Sequence, residues 1–121
     1  MNKIEHIGIA VKSIESSTSL FAKLFAKNAY KREEVLSEGV ITEFFQLGEN
    51  KIELLEATHA ESPIAKFIEK KGEGIHHIAF EVSDIVAEMK RLKEEGFILL
   101  SEEPKKGADN KLVCFLLQVS G

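Results

Sequence analysis

Two histidines in similar apolar surroundings are the residues of this sequence best suited to chemistry. His6 lies in IEHIGIAV (4–11), and His77 lies in GIHHIAFEV (74–82). A lone histidine in an apolar strand is more often a hydrogen-bonded core residue than a ligand. Two imidazoles that meet at one site would instead suit a divalent transition metal, which takes neutral nitrogen ligands and often a carboxylate. The choice depends on whether the fold brings them together.

The two histidine segments belong to an internal repeat. A constant offset of 71 residues aligns His6 with His77 and also aligns their apolar neighbours. Without any gap, the same offset aligns Phe44 with Phe115 near the far end of each half. Self-similarity at a fixed period indicates repeated structural modules. We therefore expect His6 and His77 to be symmetry mates whose side chains converge near a pseudo-two-fold axis.

Glu53 is the carboxylate that best completes such a site. It lies inside the apolar run KIELLE, where an unpaired charge would be costly to bury. The alternative is that Glu53 faces solvent, but its neighbours do not alternate cleanly between apolar and polar. We predict His6, Glu53 and His77 as metal ligands. Applied to Glu53, the repeat offset points beyond residue 121, so the symmetric fourth ligand is expected to be missing.

The two remaining histidines are predicted to have no role as ligands. His76 directly precedes His77, and successive side chains of a strand point to opposite faces. We expect His76 to be structural or to contact a helix. His59 lies in the polar connection ATHAESP and is expected to be solvated.

Strands and helices alternate along the chain and would position these residues. The first helix should begin near Ser13 and place Leu20, Phe21, Leu24 and Phe25 on one face. The second has Ser62 as its N-cap and Pro63 at its first position. Strands are predicted at 4–11, 39–47, 50–57, 75–82, 97–103 and 111–117, and helices at 62–74 and 84–96.

These elements predict an α+β fold made of two tandem βαβββ modules. We expect one domain, 1–121, with half-modules at 1–60 and 74–121 joined by a segment around residues 57–73. The two modules would place their strands around a common cleft, with the helices outside.

Composition narrows the classes of function. The 121 residues are 44% hydrophobic and 30% charged, which is enough for one core and a solvated surface. The net charge of −4 and the lack of a basic stripe argue against nucleic acid. No apolar run is long enough to span a membrane, and no signal peptide is apparent. With Cys114 as the single cysteine, we expect a cytoplasmic protein.

Four segments resemble the methylmalonyl-CoA epimerase family of the glyoxalase/bleomycin-resistance/vicinal-oxygen-chelate superfamily. They are HIGIAV, GENKIELLEA, ESPIAKFIEKKGEGIHHIAFEVSDI and EEPKKGADNK, and the similarity covers residues 4 to about 116. The resemblance implies a glyoxalase-like cleft, a homodimer, an acyl-CoA substrate and a divalent metal ion (Co, Mn, Ni, Zn or Mg). It implies interconversion of (2R)- and (2S)-methylmalonyl-CoA by proton removal at C2. His6 and His77 match the family's metal histidines, and Glu53 matches its glutamine or glutamate ligand.

The sequence departs from that family at two places. After Phe115 and Leu116 the family continues with a His-Pro-Lys segment and a Gly-Val-Leu-x-Glu-Leu strand, whose glutamate is the fourth ligand. Here FLLQVSG follows, so we expect an atypical, truncated C-terminus and a second module without its last strand. Some members also carry an acid three residues after the glycine matching Gly39. This sequence has Thr42 there, and Glu43 should face the other way, so no catalytic base is assigned.

Three other functions are compatible with the sequence. A glyoxalase I-type lactoylglutathione lyase would use the same metal frame. A non-catalytic small-molecule-binding protein of the same fold would need no histidine pair. A degenerate domain kept for dimerisation would also need none.

Overall fold

The structure, a computed structural model, describes residues 1–117 and divides into two compact units. One unit comprises residues 3–81, and the other comprises residues 1–2 together with the chain from residue 82 onward. Within residues 1–117, no helix has both the length and the apolar character needed to cross a bilayer.

The larger unit is a five-stranded mixed sheet with two helices. The strand order is β2-β3-β4-β1-β5, with β1 parallel to β4 and antiparallel to β5. The first five elements therefore form the predicted βαβββ module, and the α+β class is confirmed. Their bounds are β1 (Lys3–Ala10), α1 (Ile14–Phe25), β2 (Lys31–Val35), β3 (Val40–Leu47), β4 (Asn50–Ala57), α2 (Pro63–Lys71) and β5 (Gly74–Glu81).

The two helices belong to separate apolar clusters built on the sheet. With α1 lie the buried residues Val11, Ile14, Phe45 and Leu54. With α2 lie Ala10, Val40, Leu55 and Ile64. Adjacent residues of a strand point to opposite faces, so the alternation of Leu54 with Leu55 places the two clusters on opposite sides of the sheet.

Capping residues fix where both helices begin, as the sequence predicts. The Ser13 hydroxyl accepts from the backbone N–H of Ser16, and the Ser62 hydroxyl accepts from that of Ile64. Each serine satisfies a backbone donor that has no partner within its helix.

Strand β2 was not predicted, because its sequence KREEV carries four charged residues. It lies at the edge of the sheet and pairs only with β3. Charged side chains are a common feature of edge strands, where they oppose pairing with other chains.

In the smaller unit, α3 (Ile85–Glu94) begins at Asp84, whose carboxylate accepts from the N–H of Ala87, and it buries Met89 and Leu92. The long strands predicted at 97–103 and 111–117 are wrong in extent. The structure has β6 (Lys105–Lys106), β7 (Leu112–Val113) and an isolated bridge between Leu99 and Leu116.

Two residues of positive φ lie between the short strands β6 and β7. Asp109 and Asn110 adopt positive φ of 60° and 58°, which no extended strand accommodates. The apolar residues Ile98, Leu100 and Leu112 are exposed. The expected loss of a last strand concerns residues from 118 onward, which lie outside the described range.

Phe45 is expected to contribute more to stability than an exposed apolar residue of comparable size. Its side chain is fully buried among α1 and the sheet, so Phe45→Ala should lower the free energy of unfolding by about 3–5 kcal/mol. Leu36→Ala, at a residue 82% exposed, should change it by less than about 0.5 kcal/mol. Denaturant unfolding of both variants measures the difference, and equal losses would contradict this account of the core.

Candidate functional site

Three adjacent strands bring the predicted ligands to one face of the sheet. Gly8 of β1 lies opposite Glu53 of β4 on one side and His77 of β5 on the other. Directly opposed residues share a sheet face, and His6 lies two residues before Gly8 on the same strand. His6, Glu53 and His77 therefore project from the same face.

The two predicted ligand histidines meet. His6 Nε2 lies 2.9 Å from His77 Nε2, and the rings are nearly perpendicular, with centroids 5.1 Å apart. Gly8 makes this approach possible, because a Cβ at that position would lie 2.3 Å from Cε1 of His77. The convergence expected from the repeat is thus observed.

Two carboxylates approach the other side of the His6 ring. Glu53 Oε2 lies 3.1 Å from His6 Nδ1, and Glu5 Oε1 lies 2.6 Å from the same nitrogen. The Glu53 side chain is only 5% exposed, which agrees with the buried acid expected from its apolar neighbours. Glu53 and His77 therefore contact different nitrogens of His6. Glu5, His6 and Glu53 also form a compact group able to hold a cation.

Glu5 enters the site through a β-bulge and was missed by the sequence reasoning. The pairing of β1 with β5 shifts register between Ile4 and His6, so Glu5 is an extra residue on β1. A bulge breaks the alternation of side chains and turns the extra residue toward its neighbour's face. Lys51 holds the other Glu5 oxygen, with its Nζ 3.1 Å from Oε2.

His76 occupies the corresponding bulge on β5. A second register shift, between Gly8 and Ile9, makes His76 the extra residue of that strand. The prediction that His76 faces away from His77 is therefore wrong, because the two Nδ1 atoms lie 2.9 Å apart. Its predicted helix contact is confirmed, since its ring packs edge-on against Phe67 of α2 at 4.9 Å. The repeat offset pairs Glu5 with His76, but it does not indicate the register shifts that turn both toward the site.

Burial keeps the rings of His76 and His77 uncharged. Burial, together with the nearby His6 and His76, lowers the pKa of His77 to about 4. Burial also lowers the pKa of His76. Both rings are therefore neutral near pH 7, the state in which histidine binds a metal.

Glu5 is held in its ionised form. Burial by itself raises the pKa of Glu5, but hydrogen bonds and charge interactions with His6 and Lys51 lower it below its usual value. The site therefore places an ionised carboxylate beside the ring of His6.

Thr42 and Glu43 lie on opposite faces, as predicted. Phe44 lies opposite Glu53 and therefore shares its face of the sheet. Thr42 lies two residues before Phe44 in β3, so it is buried on that same face. Glu43 points to the α1 side, where Arg32 binds it at 2.7 Å and the Thr18 hydroxyl donates to it at 3.0 Å. Glu43 thus forms an ion pair with Arg32 on the side of the sheet opposite Glu53. His59 is exposed, as expected.

A comparison with family models matches residues 5–115 to the glyoxalase/bleomycin resistance protein/dioxygenase superfamily. The chain belongs to this superfamily. The match extends over both histidine segments and over nearly all of the two units.

This chain is similar to two curated proteins over most of their length. One is the ethylmalonyl-CoA/methylmalonyl-CoA epimerase of Cereibacter sphaeroides, 40% identical over 96% of this chain and 88% of the relative. The other is the uncharacterized protein YqjC of Bacillus subtilis, 37% identical over 96% of this chain and 83% of the relative.

A solved superfamily structure shares the fold. Methylmalonyl-CoA epimerase of Streptomyces coelicolor, in complex with 2-nitronate-propionyl-CoA, superposes with a TM-score of 0.92. The two are 28% identical, and the match covers 97% of this chain and 85% of the other. The resemblance to methylmalonyl-CoA epimerases is therefore confirmed.

Proposed function

We propose that this chain is a metal-dependent epimerase that interconverts (2R)- and (2S)-methylmalonyl-CoA. The observation that carries the proposal is the meeting of His6 and His77 at 2.9 Å, beside the buried carboxylate of Glu53. The similarity to an ethylmalonyl-CoA/methylmalonyl-CoA epimerase, at 40% identity, supports the substrate class.

The residues present fit a divalent metal ion. Two imidazole nitrogens beside a carboxylate are a donor set that a divalent transition metal would accept. The separation of the two Nε2 atoms is 2.9 Å. His6, Glu53 and His77 would hold the ion. When bound, it supplies positive charge that stabilises the negative charge developing on the thioester oxygen of the substrate.

Neighbouring residues orient the rings of His6 and His77. Glu5 accepts from Nδ1 of His6 at 2.6 Å, which fixes the direction of its ring. The ring of His77 lies over Gly8, where a larger residue would displace it. Removal of the C2 proton and its return on the other face require groups of suitable pKa within hydrogen-bond reach.

Four other features stay predictions made from the internal repeat, the composition and the resemblance. They are the acyl-CoA contacts, the homodimer, the cytoplasmic location and the division into half-modules at 1–60 and 74–121.

Turnover of a single epimer tests the proposal. The protein is stripped with a chelator and reloaded with Co²⁺, Mn²⁺, Ni²⁺, Zn²⁺ or Mg²⁺ in turn. We expect (2S)-methylmalonyl-CoA to become a mixture of both epimers with at least one ion, and to remain unchanged in chelator. The hemithioacetal of methylglyoxal and glutathione serves as the competing substrate. Its turnover in place of methylmalonyl-CoA would favour a lactoylglutathione lyase, and turnover of neither would overturn the enzymatic proposal.

A further inference from the structure

The two β-bulges place one polar residue beside each histidine of the site. Glu5 precedes His6 and His76 precedes His77, and the repeat offset of 71 residues relates the two pairs. We propose that Glu5 and His76 are positioning residues that set the tautomers of His6 and His77 and so direct both Nε2 atoms to one metal ion. This inference rests on the metal site of the proposed function.

Glu5 sets the tautomer of His6. An ionised carboxylate has only acceptors, so the 2.6 Å contact makes His6 Nδ1 the donor. A neutral imidazole with its proton on Nδ1 carries its lone pair on Nε2, the nitrogen that faces His77. Lys51 holds the second oxygen of Glu5, and this keeps the carboxylate in place.

His77 then has two ways to use its single ring proton. With the proton on Nε2, it donates to His6 Nε2 across 2.9 Å, and the two rings are joined to each other. With the proton on Nδ1, it donates to His76 Nδ1, also across 2.9 Å. Only the second arrangement turns the lone pairs of both Nε2 atoms toward the same point.

His76 makes the second arrangement possible. Its Nδ1 donates to His77 in the metal-free chain of hydrogen bonds and accepts from His77 when a metal is bound. In both arrangements one Nδ1 donates and the other accepts, so the hydrogen bond between His76 and His77 is kept. Each ring carries one proton in both arrangements. The edge-on contact with Phe67 holds the His76 ring at this distance.

Ring tautomers measured by NMR and zinc affinity test these roles. Long-range ¹H–¹⁵N spectra of chelator-treated protein should show His6 protonated on Nδ1 and His77 on Nε2. Zinc should move the His77 proton to Nδ1 and leave that of His6 in place. Calorimetric titration with Zn²⁺ should show roughly 10–100-fold weaker binding for Glu5→Ala and for His76→Phe. The latter keeps an aromatic ring against Phe67 and lacks the acceptor.

Matched variants separate positioning from a general loss of structure. Glu5→Gln retains an oxygen that accepts from Nδ1, so it should recover part of the zinc affinity lost in Glu5→Ala. It also gives a second measurement if Glu5→Ala does not fold. Glu34→Gln, at an exposed position of β2, should bind zinc as the unaltered protein does.

Two results would overturn the inference. One is zinc affinity within twofold of the unaltered protein for both Glu5→Ala and His76→Phe. The other is loss of the Nδ1 proton of His6 on zinc binding, which would make Glu5 a direct ligand on that side of the ring and not a positioning residue. Neither measurement requires epimerase turnover, so failure of the proposed function would be recognised separately.

Discussion

Replacing His77 with alanine is expected to abolish tight metal binding and to slow C2 proton exchange by at least about 100-fold. His77 Nε2 lies 2.9 Å from His6 Nε2, so the substitution removes one of the two converging nitrogens that we propose as ligands. A bound cation supplies several kcal/mol of stabilisation to developing negative charge, and each 1.4 kcal/mol or so corresponds to a tenfold change in rate. Metal content after gel filtration and deuterium uptake at C2 measure the two effects.

His59→Ala is the matched control for this substitution. His59 is exposed and lies in the connection between β4 and α2, outside the group of converging side chains. The variant should retain metal and activity. If His77→Ala kept both as well, the histidine pair would have no catalytic role, as expected for a domain kept only for dimerisation.

Gly8→Ala is expected to displace His77 from the site while the chain still folds. A methyl group at this position would lie 2.3 Å from Cε1 of His77 and 2.7 Å from both ring nitrogens, so the ring must move. Overpacking of this kind costs about 1–3 kcal/mol of stability. Metal affinity should fall nearly as far as in His77→Ala, which calorimetric titration would measure.

Gly48→Ala distinguishes this local effect from strain elsewhere. Gly48 adopts a φ of +60°, and a Cβ there would contact nothing within 4 Å. Alanine in this conformation costs about 1–2 kcal/mol, so stability should fall while metal affinity is retained. If Gly8→Ala bound metal as tightly as Gly48→Ala, the steric role of Gly8 would be wrong.

Much of the larger unit could be predicted because its signals are local. Serine caps, Pro63 at the first helical position and alternating apolar residues specify α1, α2 and the inner strands. The meeting of His6 with His77 followed from the repeat, which carries information across the chain that local patterns lack. Burial of Glu53 followed from the apolar residues around it.

The bulges could not be predicted, because they depend on the register between two strands. Strict alternation sends Glu5 and His76 to the face opposite His6 and His77. One extra residue on each strand of the β1–β5 pair reverses that result. For the same reason, the contact of Glu5 with His6 Nδ1 had no signal in the sequence of β1 alone.

Strand lengths in the smaller unit were overestimated for a different reason. Apolar runs at 97–103 and 111–117 have high strand propensity, but a strand also needs a partner along its whole length. Here β6 and β7 pair over two residues each, and positive φ at Asp109 and Asn110 precedes β7. Propensity is a weaker determinant than the availability of backbone partners.

Deuterium incorporation at C2 directly measures whether the metal-loaded protein removes the C2 proton of methylmalonyl-CoA. Metal-loaded protein is incubated with methylmalonyl-CoA in D₂O, and loss of the C2 proton signal is followed by NMR. We expect full exchange at C2 with metal present, and exchange at the uncatalysed rate in chelator and in His77→Ala. Exchange at the uncatalysed rate with every metal tested, in folded protein that retains the ion, would contradict it.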